Sequence, residues 1–580
     1  MNKQIIGGLD FAIKELEPED IYTPADFTDE HKMIAETTRD FVENEVVPVS
    51  SKIESLDYEL TRKLLKKAGE LGLLGAEIDE AYGGVGLDKV SAMIIAEKFA
   101  RGGSLAVTYS VHSGLATLPI VYYGSEDQKK KYLPKFSTGE FLGAFALTEA
   151  EAGSDPMAGK TKAVLSEDGT YYLLNGEKMW ISNAGFADIF ILFAKVDEKF
   201  TAFIVEKDFG GIVPGLEEKK LGIKGSSTTA LCIDNVKVPV ENLLGGVGNG
   251  FKIALGTLNV GRIKVGAVCI GSCKVAINDS IQYANERKQF RKPIATLGAI
   301  KEKIGRMIIN TYVGESIIYR ATGDIDALLK NADNNEGLIK GLGEFAAECA
   351  ICKVKGSEFL DYVVDEAVQI HGGYGYSSDY PIERYYRDSR INRIFEGTNE
   401  INRLVISSMF VRKITKEKEN YTRLSEEIIK NLEKQENAKS EFLSDELLMI
   451  DNVKKALLVM IIEAMNKWPD NLLRQQEILF RISDILMELY SCESVIARVI
   501  KEGIAQDGFI AAMVAKTYCH DAGFAVYKML LEILTEIHEQ GDMPSYLTIF
   551  NKLLILPYSK IIQQVRTIAE KGIEENKYPL

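Results

Sequence analysis

The sequence predicts a mostly α-helical chain with one inserted antiparallel β-domain: N-terminal helices, a middle sheet, a C-terminal helical bundle, and a second helical domain at the end. Three observations predict it. Apolar residues recur at a 3.6-residue period from about residue 30 to 140, and again from about 250 onward. Between them the period shortens, and Asp168-Gly169 and Asn175-Gly176 separate short β-rich runs as hairpin turns do. A strongly polar stretch, 414–441, then parts the bundle from a last helical run. The expected divisions are 1–140, 141–250, 251–413, the 414–441 linker and 442–580, since 580 residues are too many for one core.

In chain order, Ile34, Phe41 and Val46, then Leu64, Leu65, Ala68 and Leu71, mark the first helical faces. Ser125-Glu126-Asp127 followed by Lys129, Lys130 and Lys131 reads as a capped helix, its acids at the positive dipole end and its lysines on a solvated face. The runs FILFAKV, FTAFIVEKD and ALCIDNVKVPV continue the strand pattern to about 240. The segment from Phe251 to Phe290 is apolar almost all round, as a central bundle helix should be. Further on, Phe345, Cys349 and Cys352 share a helical face, so the CxxC reads as core cysteines rather than a metal site. In the linker Tyr421, Leu424, Ile428 and Leu432 form one apolar face, which either packs on the protein or lies on a membrane surface. Leu457, Leu458, Ile461, Ile462 and Met465 stripe the final helical region.

Composition excludes several classes. A net charge of −15 argues against nucleic acid as the main partner. Seven scattered cysteines fit a reducing compartment, and five unclustered histidines offer no metal site. The N-terminus lacks a signal-peptide core, and no stretch approaches the ~18 apolar residues that cross a bilayer. The expected location is the cytoplasm.

The chemistry concentrates in Gln369–Arg403, QIHGGYGYSSDYPIERYYRDSRINRIFEGTNEINR. Its glycines Gly372, Gly373 and Gly375 permit close backbone approach or positive φ. Glu396, between Phe395 and Gly397, either faces water or sits in a dry pocket, where desolvation would make it a base near neutral pH. ALTEAEAGSDPMA, 146–158, is a turn rich in small polar residues; in MWIS, Trp180 and Ser182 point to one side of a strand. In ERKQF, Arg287 either complements a helix dipole or holds a pyrophosphate. GGVGNG lies outside any βαβ unit, so a Rossmann site is not supported.

In this order and spacing, ALTEAEAGSDPMA, QIHGGYGYSSDYPIERYYRD and FEGTNEINR resemble the acyl-CoA dehydrogenase family over residues 30–413. VHSG at 111–114, LNVGR around Arg262 and the helical tail make the chain most similar to the very-long-chain branch. The resemblance implies that family's helical–β–helical fold with FAD at a subunit interface, in a homodimer or homotetramer. It also implies α,β-dehydrogenation of medium to long fatty acyl-CoA thioesters in β-oxidation, with electrons passed to an electron-transferring flavoprotein. Glu396 would remove the α-proton while a hydride leaves the β-carbon for the flavin, the thioester carbonyl being held by the Glu396 N–H and a ribityl hydroxyl.

Carried over by the same resemblance, Phe145, Leu147, Thr148, Trp180 and Ser182 would line the flavin ring. Ser154 would lie by cofactor and substrate, Asn259 and Arg262 along the substrate channel, and Gly397 against substrate. Arg287, Gln289, Leu297 and Gly298 would reach the FAD of a neighbouring subunit, and Gln369, Gly372, Gly373, Thr398 and Glu400 would complete the site. Gly261 stands where some members carry the base, which leaves Glu396 alone. Arg291 replaces a usual glycine and Glu400 a frequent glutamine, while apolar Val107 and Val111 suit a deeper acyl channel. An oxygen-using acyl-CoA oxidase and a non-catalytic flavoprotein scaffold are the rival readings; contact with a membrane surface is a further expectation.

Overall fold

The computed structural model describes residues 8–15, 17–330, 341–432, 442–503, 509–538 and 543–580. Part of the expected linker, 433–441, lies outside the described residues.

The N-terminal helices are α1 (Asp29–Phe41), α2 (Tyr58–Glu70), α3 (Lys89–Phe99), α4 (Ser104–Tyr123) and α5 (Glu126–Thr138). Local chemistry sets their starts: Asp57 accepts from the Leu60 N–H at 3.0 Å, and Ser125 and Gln128 close a reciprocal capping box. Lys129 departs from the solvated face expected of it. It is buried, its ammonium lying 5.7 Å from the centre of the Tyr82 ring.

The middle sheet has the strands β1 (Gly143–Ala146), β2 (Lys162–Leu165), β3 (Tyr171–Ser182), β4 (Ile189–Val196), β5 (Lys199–Glu206), β6 (Ile212–Glu217), β7 (Thr228–Pro239) and β8 (Leu243–Leu244). Their order is β6-β7-β3-β2-β4-β5-β8, with β1 beside β4. Most neighbours are antiparallel, but β1 and β2 each pair with β4 in parallel, so the sheet is mixed. Asp168-Gly169 makes the expected hairpin, with the Ser166 N–H donating to the Tyr171 carbonyl at 2.9 Å. Asn175-Gly176 does not. It lies inside β3 at a register shift, where a Cβ on Gly176 would come within 2.6 Å of Thr161 Oγ1. The dipeptide serves a bulge and a close backbone approach rather than a reversal.

The second half is built around α6 (Gly250–Glu286), with α7 (Gly298–Lys330), α8 (Ala346–His371), α9 (Ile382–Ser389) and α10 (Asn399–Lys416). Helices α6 and α8 cross at Gly266 and Gly356, where a Cβ on Gly356 would meet the Gly266 Cα at 3.0 Å. That close crossing brings side chains from both helices, Arg262 and Lys353, to one turn. Segments α4 and α6 are long and apolar enough to cross a membrane, so the expectation that no stretch reaches that length is too strong. Their apolar windows are 78% and 72% buried, which makes them core helices here.

After α11 (Lys418–Lys430) come α12 (Ser444–Lys467), α13 (Gln476–Lys501), α14 (Ile510–Ile537), α15 (Met543–Leu553) and α16 (Ile561–Glu575). On α11, Tyr421 and Ile428 pack against the main core, as Leu432 does just beyond it, while Leu424 is exposed. The extension is joined to the bundle by one continuous hydrophobic core and by ion pairs. Arg320 meets Glu493 at 3.0 Å, Arg498 meets Glu315 at 2.7 Å, and all four are buried.

Candidate active site

Glu396 lies in a short turn between the 3-10 segment Arg390–Arg393 and α10, whose N-cap is Thr398. Glu396 has φ +56° and Gly397 φ +81°. A left-handed glutamate costs about 1–2 kcal/mol, so the surroundings must hold it. Three side chains do so through the backbone carbonyls. Arg262 Nε donates to the Glu396 carbonyl at 3.3 Å, Lys353 Nζ to the Gly397 carbonyl at 2.8 Å, and Asn402 Nδ2 to the carbonyls of Gly397 at 2.8 Å and Thr398 at 3.0 Å.

The Glu396 carboxyl is treated differently. Its Oε2 is buried and has no hydrogen-bond partner among the described residues, although the residue as a whole keeps some exposure. It points at α6, where a Cβ on Gly261 would lie 3.2 Å from it. Burial pushes the pKa up to about 7, against the opposing charges of Arg262 and Lys353. An unpaired carboxyl that changes charge near neutrality is suited to accept a proton. Asn259 supports Arg262, its Oδ1 accepting from Nη1 at 3.1 Å while its Nδ2 donates to the Leu342 carbonyl.

A second group forms where the chain leaves β1 and meets the end of β3. The Met179 N–H donates to the Thr148 carbonyl at 2.9 Å, which sets Thr148 against β3 at the residue before Trp180. Trp180 is 55% exposed, not a core residue, and has φ +60° at a register shift in β3. An exposed indole anchored this way gives a flat ring something to stack on. Phe145 of β1 packs on Phe193 of β4, and Ser154 is exposed on the turn that follows.

A third group lies at the far end of α6. Exposed Arg287 sits 5.4 Å from the Tyr374 ring, and the Tyr283 hydroxyl donates to the His371 carbonyl, joining that end to Gln369, Gly372 and Gly373. Gly372 has φ +59° and ψ −137°, a conformation that favours glycine strongly. Gln289 lies in a two-residue hairpin strand, Leu297 packs on the core, and a Cβ on Gly298 would meet nothing. Among the described residues no hydrogen bond or ion pair links this patch to Glu396. Glu400 is exposed near Thr398, its pKa lowered mainly by its own backbone N–H.

Two lysines were not anticipated from the sequence. Lys178 is 1% exposed; it donates to the Leu147 carbonyl at 3.2 Å and to Glu149 at 2.7 Å, drawing that carboxyl down to about 2 against its burial. Lys353 is fully buried on α8. Its signal was available: a cation four residues after Cys349, on a helix face otherwise apolar.

Comparison with known proteins gives matches along most of the chain. Sequence profiles described as the acyl-CoA dehydrogenase N-terminal, middle and C-terminal domains match residues 28–140, 144–236 and 248–410, and a further acyl-CoA dehydrogenase C-terminal domain matches 452–552. A probable acyl-CoA dehydrogenase of Bacillus subtilis is 46% identical over 98% of both chains.

The chain belongs to the acyl-CoA dehydrogenase family.

Within that family, the very-long-chain specific acyl-CoA dehydrogenase of Rattus norvegicus is 42% identical over 62% of this chain and 54% of that protein. The crystal structure of an acyl-CoA dehydrogenase complexed with FAD from Bacillus anthracis superposes with a TM-score of 0.96. It is 43% identical, covering 99% of this chain and 100% of that one. The helical extension is therefore shared along its whole length with these two bacillar family members.

Proposed function

We propose that this protein is an FAD-dependent dehydrogenase that introduces a trans double bond between Cα and Cβ of medium to long fatty acyl-CoA thioesters, with an electron-transferring flavoprotein as acceptor. One observation carries the reading: Oε2 of Glu396 is buried with no hydrogen-bond partner among the described residues, and that burial pushes the carboxyl's pKa up to about 7.

The α-proton of a thioester is too weakly acidic for an exposed carboxylate to remove at neutral pH. Burial raises the proton affinity of Glu396, and the charges of Arg262 and Lys353 keep its ionised form accessible. The Glu396 backbone N–H would donate to the thioester carbonyl oxygen, where enolate charge develops. An apolar acyl chain packed beside Glu396 would exclude water and strengthen both interactions.

The residues present fit FAD. Trp180 offers an exposed indole one residue from the Met179–Thr148 hydrogen bond; Phe145, Leu147, Ser154 and Ser182 would line the same ring, and Thr398 and Glu400 lie next to the Glu396 turn. Bound FAD supplies the two-electron acceptor for the hydride that leaves Cβ. The exposed patch of Arg287, Gln289, Gly298, Gln369, Gly372 and Gly373 suits the phosphate and adenine end of a cofactor held by a second subunit, so the active form would be a homodimer or homotetramer.

Replacing Glu396 tests the reading. Glu396→Gln should keep its yellow FAD yet lose anaerobic bleaching by octanoyl-CoA by at least ~10³-fold, and bleaching at the wild-type rate would place the base elsewhere. Reoxidation of the reduced, product-bound enzyme in air separates the acceptors. Slow reoxidation supports the flavoprotein partner; fast reoxidation makes the enzyme an oxidase.

A further inference from the structure

We propose that Lys353 is a positioning residue for this reaction: its ammonium, delivered by α8, fixes the Gly397 carbonyl and the Asn399 side chain, and its charge sets the pH at which Glu396 becomes a base. The proposal rests on the assignment of Glu396 as that base.

The geometry is specific. Lys353 Nζ donates to the Gly397 carbonyl at 2.8 Å and to Asn399 Oδ1 at 2.7 Å, one acceptor on each side of the Thr398 cap. Asn399 is the first residue of α10 and is also held, its Nδ2 donating to Ser357 Oγ and to Glu358 Oε1, both at 3.1 Å. The ammonium thus clamps the left-handed Glu396–Gly397 pair to the start of α10. A compact point charge on a flexible stem meets two such acceptors in a space where a planar guanidinium does not fit equally well.

The side chain is wholly buried, which is costly for a cation unless the charge has a use. Several titratable groups among the described residues face it. From α6 come Cys269 and Arg262, from its own helix Glu358, from the turn Glu396, and from α10 Glu400. Burial lowers the lysine pKa to about 8, helped by Arg262 and resisted by Cys269, Glu396 and Glu358. At pH 7 the group is charged and favours the carboxylate form of Glu396. Without it the base would stay protonated to higher pH. A lysine that only filled space would not have that effect.

The test is the pH dependence of anaerobic flavin bleaching by octanoyl-CoA in FAD-loaded wild type, Lys353→Met and Lys353→Arg. Wild type should gain rate as pH rises through about 7. In Lys353→Met the acid limb should move up by roughly one pH unit and the plateau rate fall about tenfold, with half-saturation changed less than about threefold. Lys353→Arg, which keeps the charge, should return the limb to its wild-type position but not the full rate. If Lys353→Met does not fold, Lys353→Gln, which keeps one donor and no charge, should show the same displaced limb. An acid limb that stays at the wild-type pH in the neutral variants overturns the proposal. If wild type is not bleached by any acyl-CoA, the proposed reaction fails instead. The role of Lys353 is then read from the carboxyl titration of Glu396 by difference infrared spectroscopy, where an unmoved titration overturns it.

Discussion

Two regions of this molecule bury carboxylates, and they treat them in opposite ways. Where the extension meets the bundle, Glu315 is shared between Lys274 and Arg498, and Glu493 between Arg320 and Lys454. Glu97 nearby meets Lys274 at 2.9 Å and Lys98 at 2.8 Å. Burial raises the pKa of Glu97 and Glu315, but the adjoining cations win and hold both below the usual carboxylate range. At the Glu396 turn the cations bind backbone carbonyls instead, leaving Glu396 Oε2 without a partner among the described residues and its pKa pushed up to about 7. The same residue types give a carboxylate held ionised in one place and a carboxyl pushed towards neutrality in the other. What differs is whether the cation meets the carboxylate or the chain beside it.

The largest effect should come from breaking the joint. Arg498→Met leaves Glu315 with Lys274 alone and should cost about 3 kcal/mol, seen as a thermal midpoint several degrees lower. Adding Glu315→Met in the same chain should recover part of the loss, because the uncompensated charge is then gone. A single variant as stable as wild type would mean that the ion pairs do not hold the extension.

A smaller effect, of opposite sign, is expected at the turn. The folded pKa of Glu396 is raised above its unfolded value, so folding favours the protonated form. The stability this group contributes is full below the ordinary carboxylate pKa near 4.5 and is lost as pH rises towards about 7. Glu396→Gln cannot ionise. It should match wild type near pH 5 and melt roughly 2 °C higher at pH 8, measured on FAD-loaded protein. A gain that is largest at acid pH would contradict the assignment.

Helix and strand existence was legible because period and turn chemistry are local. The capped helix at Ser125 and the Asp168-Gly169 hairpin needed only neighbours in sequence. Asn175-Gly176 misled because its signal is the same whether the chain reverses or bulges; contact with Thr161 across the sheet decides. The parallel pairing of β1 and β2 with β4 is long-range and left no local mark. In the site, motif resemblance named the residues that would touch ligand, whereas Lys178 and Lys353 act on backbone carbonyls far away in sequence. Lys353 sits in an apolar stripe, and a cation there is a cue that periodicity alone could have raised.

The smallest test concerns Arg291, which takes φ +66° beside Phe290 at φ +51° in the hairpin after α6. Arg291→Gly should relieve about 1 kcal/mol of backbone strain, partly cancelled by the greater freedom of the unfolded glycine, and raise the melting midpoint slightly. A clear loss of stability would show that the arginine side chain itself holds the hairpin.

The contrast between paired and unpaired carboxylates is tested most directly by the titration of Glu396 itself. Infrared difference spectra between wild type and Glu396→Gln, recorded across pH without substrate, isolate the carbonyl stretch of that one carboxylic acid. A band from a protonated carboxyl that disappears with a midpoint near pH 7 is the expected result. A carboxyl already ionised at pH 5 would contradict it, and with it the claim that burial without a partner makes Glu396 the base.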